Sequence, residues 1–363
     1  MQKDLSKRLL SAVLGWSDDE IEEYSHLIGN LAELKYDEYQ QYKPGSRFVE
    51  HLCAWLNQFA KGSERDIAFH FLLDNLVFIS ISEMHRLIET AYYEHILPLF
   101  EEDAATVCQE IGMEGCEHRI AKLFKTKALF LAMSDGARID VLRRIAGLDH
   151  EQVFVTYELP DQKFAEIILG MDQRVKDKEQ DEVIVKRIPK GFSHIFLLDD
   201  FSGSGISYFR KETDEWHGKI YKVIEKLKKE KIISSETNRI KVHVILYLAT
   251  QKAKDRINNE IKNFYAKKKN KVDIDVIFVQ GINQVILNKE QEDLFIKHYT
   301  TVKKEIEDSH YKKGNIDYPH HGFDNCGLAL VLHHNTPNNT FPIIWAGDNA
   351  LFPRVTRHKD VKE

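Results

Sequence analysis

Five short apolar segments, each separated from the next by a longer polar or amphipathic stretch, constrain this 363-residue chain more than any other feature. They are ALFLAM (128–133), QVFVTY (152–157), HIFLL (194–198), KVHVILYLA (241–249) and VDIDVIFVQ (272–280). Each has the length and the β-branched or aromatic content of a buried strand. The stretches at 139–145, 215–231 and 251–267 have helical spacing, the second being lysine-rich. Strands alternating with helices pair in parallel through right-handed crossovers, because a parallel return needs a connection long enough to recross the sheet. The expectation is therefore an α/β fold, a parallel sheet flanked by helices, over residues 119–363.

Residues 1–118 read differently, as an α-helical N-terminal region. Leu52, Trp55, Leu56 and Phe59 recur at helix spacing, as do Ile67, Phe71 and Leu72 before an apolar run at 76–81. Ser82 followed by Met84, Leu87, Ile88 and Tyr92 predicts a capped amphipathic helix ending near Pro98. These stripes predict core rather than chemistry. Charge divides the same way: residues 1–118 carry 9 basic and 22 acidic side chains, so the net −6 of the chain conceals −13 followed by +7. Two modules with different partners follow, the second tolerant of a polyanion.

Several classes are excluded. At 43% hydrophobic residues the chain can build a core and is no disordered polar tract. No run approaches the roughly 20 apolar residues of a membrane helix. The opening MQKDLSKRLLSAVLGWSDDE turns acidic too soon for a signal peptide. Cys53, Cys108, Cys116 and Cys326 are too few and too scattered for a disulfide framework, and Cys108, Cys116 and His118 lack the CxxC pair of a zinc site. The expectation is a cytoplasmic protein without a membrane partner.

One segment carries chemistry. In open α/β sheets ligands bind beyond the carboxyl ends of the strands. After HIFLL come Asp199 and Asp200, then Phe201-Ser202-Gly203-Ser204-Gly205-Ile206-Ser207, then an expected helix. Backbone N–H groups of a Ser/Gly loop form a nest for a phosphate. Two carboxylates beside that nest would repel phosphate, so they face ribose hydroxyls or a magnesium ion. A phosphate next to a diol is a sugar phosphate. The loop is neither a Walker A loop nor a dinucleotide fingerprint, since G-K-[ST] and GxGxxG are both missing.

Residues 195–207 fill every position of the motif of type I phosphoribosyltransferases, which bind phosphoribosyl pyrophosphate (PRPP): four apolar residues, an acidic pair, three variable residues, then [ST]-G-x-[ST]. The chain resembles that family here. The resemblance implies that Asp199 and Asp200 hold the ribose hydroxyls and, indirectly, Mg2+. It implies that Ser202 to Ser207 (Ser202, Gly203, Ser204, Gly205, Ile206, Ser207) cradle the 5′-phosphate. The family's pyrophosphate loop matches Ser134-Asp135-Gly136-Ala137-Arg138 after ALFLAM, where Gly136 supplies a backbone conformation closed to other residues and Arg138 a charge for pyrophosphate oxygens. The implied catalytic set is Asp199, Asp200 and Arg138. The stretch 160–190 stands where the family has a mobile flap, with Arg174, Lys176, Lys178, Arg187 and Lys190 as its cations. One departure is Gly203, at the place where purine-type members carry an aspartate base.

The segment 315–350 predicts a hood. Asn335, Asn338, Asn339 and Trp345 are its candidate base pocket, although a turn rich in Asn, Pro and Thr also serves local backbone groups. His320/His321 and His333/His334 would point to opposite faces if each pair lay on a strand, which argues against a metal cluster. The run HHNTPNNTFPIIW is similar to phosphoribosyltransferase-like domains of prokaryotic conflict systems, including effectors encoded beside retron reverse transcriptases. That resemblance implies an antiphage effector held by a partner protein or a reverse transcriptase–nucleic-acid complex, and is compatible with an oligomer. Three readings stay open: a magnesium-dependent enzyme that transfers or cleaves a phosphoribosyl group, a non-catalytic sensor of PRPP or nucleotide, and a nucleic-acid binder using its lysines.

Overall fold

The alternating strands build a five-stranded sheet in the computed structural model of the chain, which describes residues 8, 11–15, 17–156, 164–230, 232, 240–266, 272–308 and 311–355. In chain order the strands are β1 (Val77–Ile79), β2 (Ala128–Ala132), β3 (Val153–Val155), β4 (His194–Ser202), β5 (Arg210–Glu212), β6 (Glu215–His217), β7 (Lys241–Ala249), β8 (Asp273–Gly281) and β9 (Leu330–Leu332). The main sheet has the order β3-β2-β4-β7-β8, and every pairing in it is parallel. This is the α/β fold the alternation predicts. The five apolar segments all become strands of this sheet. Tyr157, expected at the end of β3, and most of the lysine-rich run at 265–271 lie outside the described residues.

The chain parts into two compact units. One comprises residues 85–282 and holds the main sheet; the other joins residues 1–84 to residues 283–363. In the sheet unit, Leu129, Leu131, Ile195, Leu197, Val242 and Val244 pack with Ile220, Ile224 and Leu227 of the helix Lys219–Lys229. Helices Leu97–Ile111 and Glu117–Thr126 also belong to this unit. Gly112 (φ 66°) and Gly115 (φ 75°) reverse the chain between them, and Cys108 and Cys116 form a disulfide. A single bridge thus exists where scattered cysteines predict no framework; Cys53 and Cys326 are free and buried.

The second unit is held by one aromatic core. Phe48, Trp55, Phe71, Phe295, Phe341 and Phe352 are each at most 1% exposed. The Trp55 indole donates to the Ile343 carbonyl at 2.6 Å. The apolar run at 76–81 contributes β1, which pairs in parallel with β9, Val77 facing Leu330 and Ile79 facing Leu332. Residues 1–84 of the helical N-terminal stretch and the expected hood are therefore parts of one unit. Recounting by unit changes the charge reading: residues 1–84 with 283–363 sum to −7, and residues 85–282 to +1. Among the described residues no helix is long and apolar enough to cross a membrane.

Candidate functional site

Sheet order decides where a ligand fits. The strand after β2 joins the sheet on one side of it, and β4 joins on the other. Connections therefore leave the carboxyl ends of β2 and β4 in opposite directions and open a crevice between them. The two loops singled out from the sequence follow these two strands. Ser134 ties them together, its hydroxyl donating to Asp199 Oδ1 and standing 3.4 Å from Asp200 Oδ1.

The loop after β2 folds as a 3₁₀ turn, Asp135–Ala137, leading into the helix Ile139–Ala146. The left-handed backbone expected at Gly136 falls instead on Arg138, with φ 43° and ψ 48°. A non-glycine residue held there costs about 1–3 kcal/mol, and such positions gather at functional sites. Arg138 both ends the turn and caps the helix, so the chain must reverse at this residue. The Tyr247 hydroxyl, on β7, donates to the Ala137 carbonyl at 2.9 Å and holds the turn from the sheet side. The Arg138 side chain reaches Asp140 at 3.4 Å.

Strand β4 continues four residues past its apolar run, because Asp199, Phe201 and Ser202 pair with Leu246, Leu248 and Ala249 of β7. Asp199 and Asp200 thus sit on the strand, and their settings differ. Asp199 is wholly buried, while Asp200 is partly exposed. Lys219 Nζ lies 2.5 Å and the Tyr208 hydroxyl 2.7 Å from Asp199 Oδ2. Burial pushes the Asp199 carboxyl upward, and the Lys219 ammonium and Ser134 oppose it. Lys219 also stands 5.1 Å above the Tyr208 ring. Asp199 is therefore the anchored member of the pair, and Asp200 the more exposed one.

The Ser/Gly loop turns its carbonyls inward. Thr250 donates to the Gly203 carbonyl at 2.6 Å, Arg256 to the Ser204 carbonyl at 2.8 Å, and the Tyr208 N–H to the Gly205 carbonyl at 3.1 Å. In a trans peptide the N–H points opposite to the C=O. The N–H groups of Ser204 and Gly205 consequently face away from these partners, while the Ile206 N–H donates to Ser204 Oγ at 3.4 Å. Gly205 has φ +75°, and a Cβ there would lie 2.9 Å from the Ala253 carbonyl oxygen. Glycine is required twice over, for its backbone and for its contact with the helix Gln251–Tyr265. Ser202 and Ser204 are buried and Ser207 is exposed.

The expected helix directly after this loop is displaced. An antiparallel hairpin, β5–β6, intervenes, and the helix spans Lys219–Lys229 rather than 215–231. Its start returns to the loop: Lys219 N–H donates to Ser207 and Ile220 N–H to Tyr208, at 2.9 and 3.0 Å. Gly218 (φ 118°) makes the return feasible, since a Cβ would meet the Tyr208 carbonyl oxygen at 2.3 Å. This is how Lys219 and Tyr208, which no motif marks, arrive at Asp199. The signal available was Gly218 ahead of an amphipathic lysine-rich run.

Of the stretch 160–190 matched to a mobile flap, residues 160–163 lie outside the described residues and the rest contains the helices Phe164–Lys178 and Glu182–Val185. Helix Phe164–Lys178 buries Phe164, Ile167, Met171 and Val175, a helical stripe. Arg174 pairs with Glu151 and Arg187 with Glu110; Lys178 donates to Thr126, and Lys176 and Lys190 are exposed. The candidate base-pocket residues lie in the other unit, engaged with their own chain. Asn339 donates to the Phe323 carbonyl and Cys326 sulfur, Trp345 to the Thr340 carbonyl, and Asn335 accepts from Val355 N–H. The Asn338 carbonyl accepts from Phe323 N–H.

A five-stranded parallel sheet thus carries the acidic pair and the Ser/Gly loop at its switch point. The family model PRTase-CE matches residues 52–354, and the chain belongs to this phosphoribosyltransferase-like, conflict-system effector family. The match spans both compact units. No curated protein and no solved structure matches the chain.

Proposed function

We propose that this protein binds PRPP or a nucleotide with Mg2+ at the β2/β4 crevice and transfers or cleaves its phosphoribosyl group. The observation that carries the reading is the joining of the two loops by Ser134, which sets Arg138's loop beside the acidic pair. The loop Ser202–Ser207 would receive the 5′-phosphate, and Asp200 the ribose hydroxyls. Asp199, closed in by Ser134, Tyr208 and Lys219, would set the position of Asp200. The donor set suits magnesium, which commonly binds through one or two carboxylates plus substrate phosphates. Asp200, with Asp199 acting indirectly, would hold it beside the pyrophosphate. Bound there, the ion offsets charge on the leaving pyrophosphate. Arg138 would act on the same oxygens, because the C1–O bond breaks with oxocarbenium character and little acid–base help.

Gly203 favours a second reading, a sensor of PRPP or nucleotide that signals to a partner, since no side chain stands there to act as base. In either case the proposal includes an antiphage role, in keeping with a conflict-system effector-like family, and regulation by a partner protein or a reverse transcriptase–nucleic-acid complex. Calorimetric titration with PRPP and magnesium tests the site: Asp200→Asn should weaken binding at least tenfold, and equal affinity in both proteins rejects the assignment. Pyrophosphate release across a panel of nucleobases separates the readings. Tight binding with no release under any acceptor selects the sensor.

A further inference from the structure

In the unit formed by residues 1–84 and 283–363, two imidazoles and a carboxylate converge. His320 Nε2 lies 2.5 Å from Glu292 Oε1, and His321 Nε2 lies 3.1 and 2.9 Å from the two carboxylate oxygens. Adjacent histidines on a strand would diverge. These two instead occupy the 3₁₀ turn Pro319–His321, and their rings stand at 85° with centroids 4.6 Å apart, so both Nε2 atoms reach one point. We infer that Glu292, His320 and His321 bind a single divalent transition-metal ion of the zinc class.

Donor chemistry and rigidity support this. One ligand atom from each residue lies within 4.8 Å of the others. Around a tetrahedral zinc with bonds of about 2.0–2.2 Å, ligand atoms stand roughly 3.3 Å apart, so slight outward rotation of the side chains admits the ion. Two histidines and a glutamate are a borderline donor set that selects zinc or its neighbours over magnesium or calcium. The turn is held in place before any ion arrives. The Tyr311 hydroxyl donates to the Pro319 carbonyl at 2.7 Å, and Gly327 N–H to the His321 carbonyl at 2.7 Å. Glu292 lies in the first turn of the helix Lys289–Ile306, which an Asn288/Gln291 capping box fixes. His320 is buried while His321 and Glu292 retain 17% and 29% side-chain exposure, so an ion can enter and a fourth position stays open to water or a ligand. The site is independent of the PRPP reading, and an ion there would staple residues 319–321 to the helix.

Zinc titration of the chelator-treated full chain by calorimetry tests the assignment, with Glu292→Gln and His321→Ala alongside. Glu292→Gln keeps the shape of the side chain and one acceptor oxygen but loses the charge. One equivalent should bind to the unaltered protein, at least about tenfold more weakly to each variant. Zinc should raise the unfolding midpoint of the unaltered protein alone. Cobalt in place of zinc should give visible d–d bands that both variants lose. No saturable binding, or binding unchanged in Glu292→Gln, overturns the assignment, whatever the fate of His321→Ala.

Discussion

Asp199 shows how a charged residue can be buried usefully. Its carboxylate lies at 0% exposure and meets a hydroxyl from Ser134, a hydroxyl from Tyr208 and the ammonium of Lys219. Removing one partner of such a pair leaves a charge without compensation. Lys219→Met should cost about 2 kcal/mol, less than for a fully buried pair because the lysine side chain is 36% exposed. Urea unfolding measures it, and a change below a few tenths would remove Lys219 from this role. Gly205→Ala should cost about 3 kcal/mol, through left-handed strain and the contact with Ala253. The acidic pair was legible because its residue types are chemically unambiguous. The left-handed turn at Arg138 was not, because residue preference points to the neighbouring Gly136 and only the demand of the helix start selects Arg138.

At the scale of elements, strands that are apolar along their length announced themselves, and β2, β3, β4, β7 and β8 fall on the expected segments. Elements defined by a distant partner did not. β1 is three residues long and becomes a strand only against β9, some 250 positions on. The hairpin β5–β6 turns at Thr213 (φ 52°) inside a polar run that reads as the start of a lysine-rich helix. One element-level feature has a measurable pH signature. Across β2, β4 and β7, Phe130 stacks on Phe196 and Phe196 on His243, with His194 beside both. Burial lowers His194 to about 3 and His243 to about 4, with Lys241 adding to both and Asp103 and Asp273 opposing at His243. Both lie below the 6.5 of the unfolded chain. The unfolded state therefore takes up protons first, and stability present above pH 6.5 falls as pH drops toward 4. At pH 5 the loss should be about 2 kcal/mol per histidine relative to pH 7. His243→Phe should flatten the dependence of the urea midpoint between these pH values; an unchanged slope would contradict the account.

At the scale of the whole molecule, a division into an acidic front and a basic remainder dissolves. The unit with the main sheet is close to neutral at +1, and the other carries −7. Deleting residues 1–84 should strip Phe48, Trp55 and Phe71 from the core shared with Phe295, Phe341 and Phe352. Hydrogen exchange should then quicken over residues 283–355 while β2, β4 and β7 keep their protection; protection lost everywhere would refute the division. The same interlocking orders events during synthesis. Helices of the first 84 residues emerge from the ribosome more than 200 positions ahead of the segment that completes their core. The sheet unit, continuous in the chain, can close first. The outer unit must wait with Trp55 and Phe71 uncovered until Phe341 and Ile343 arrive. That interval exposes apolar surface on the nascent chain and makes this unit the part that most needs chaperone protection.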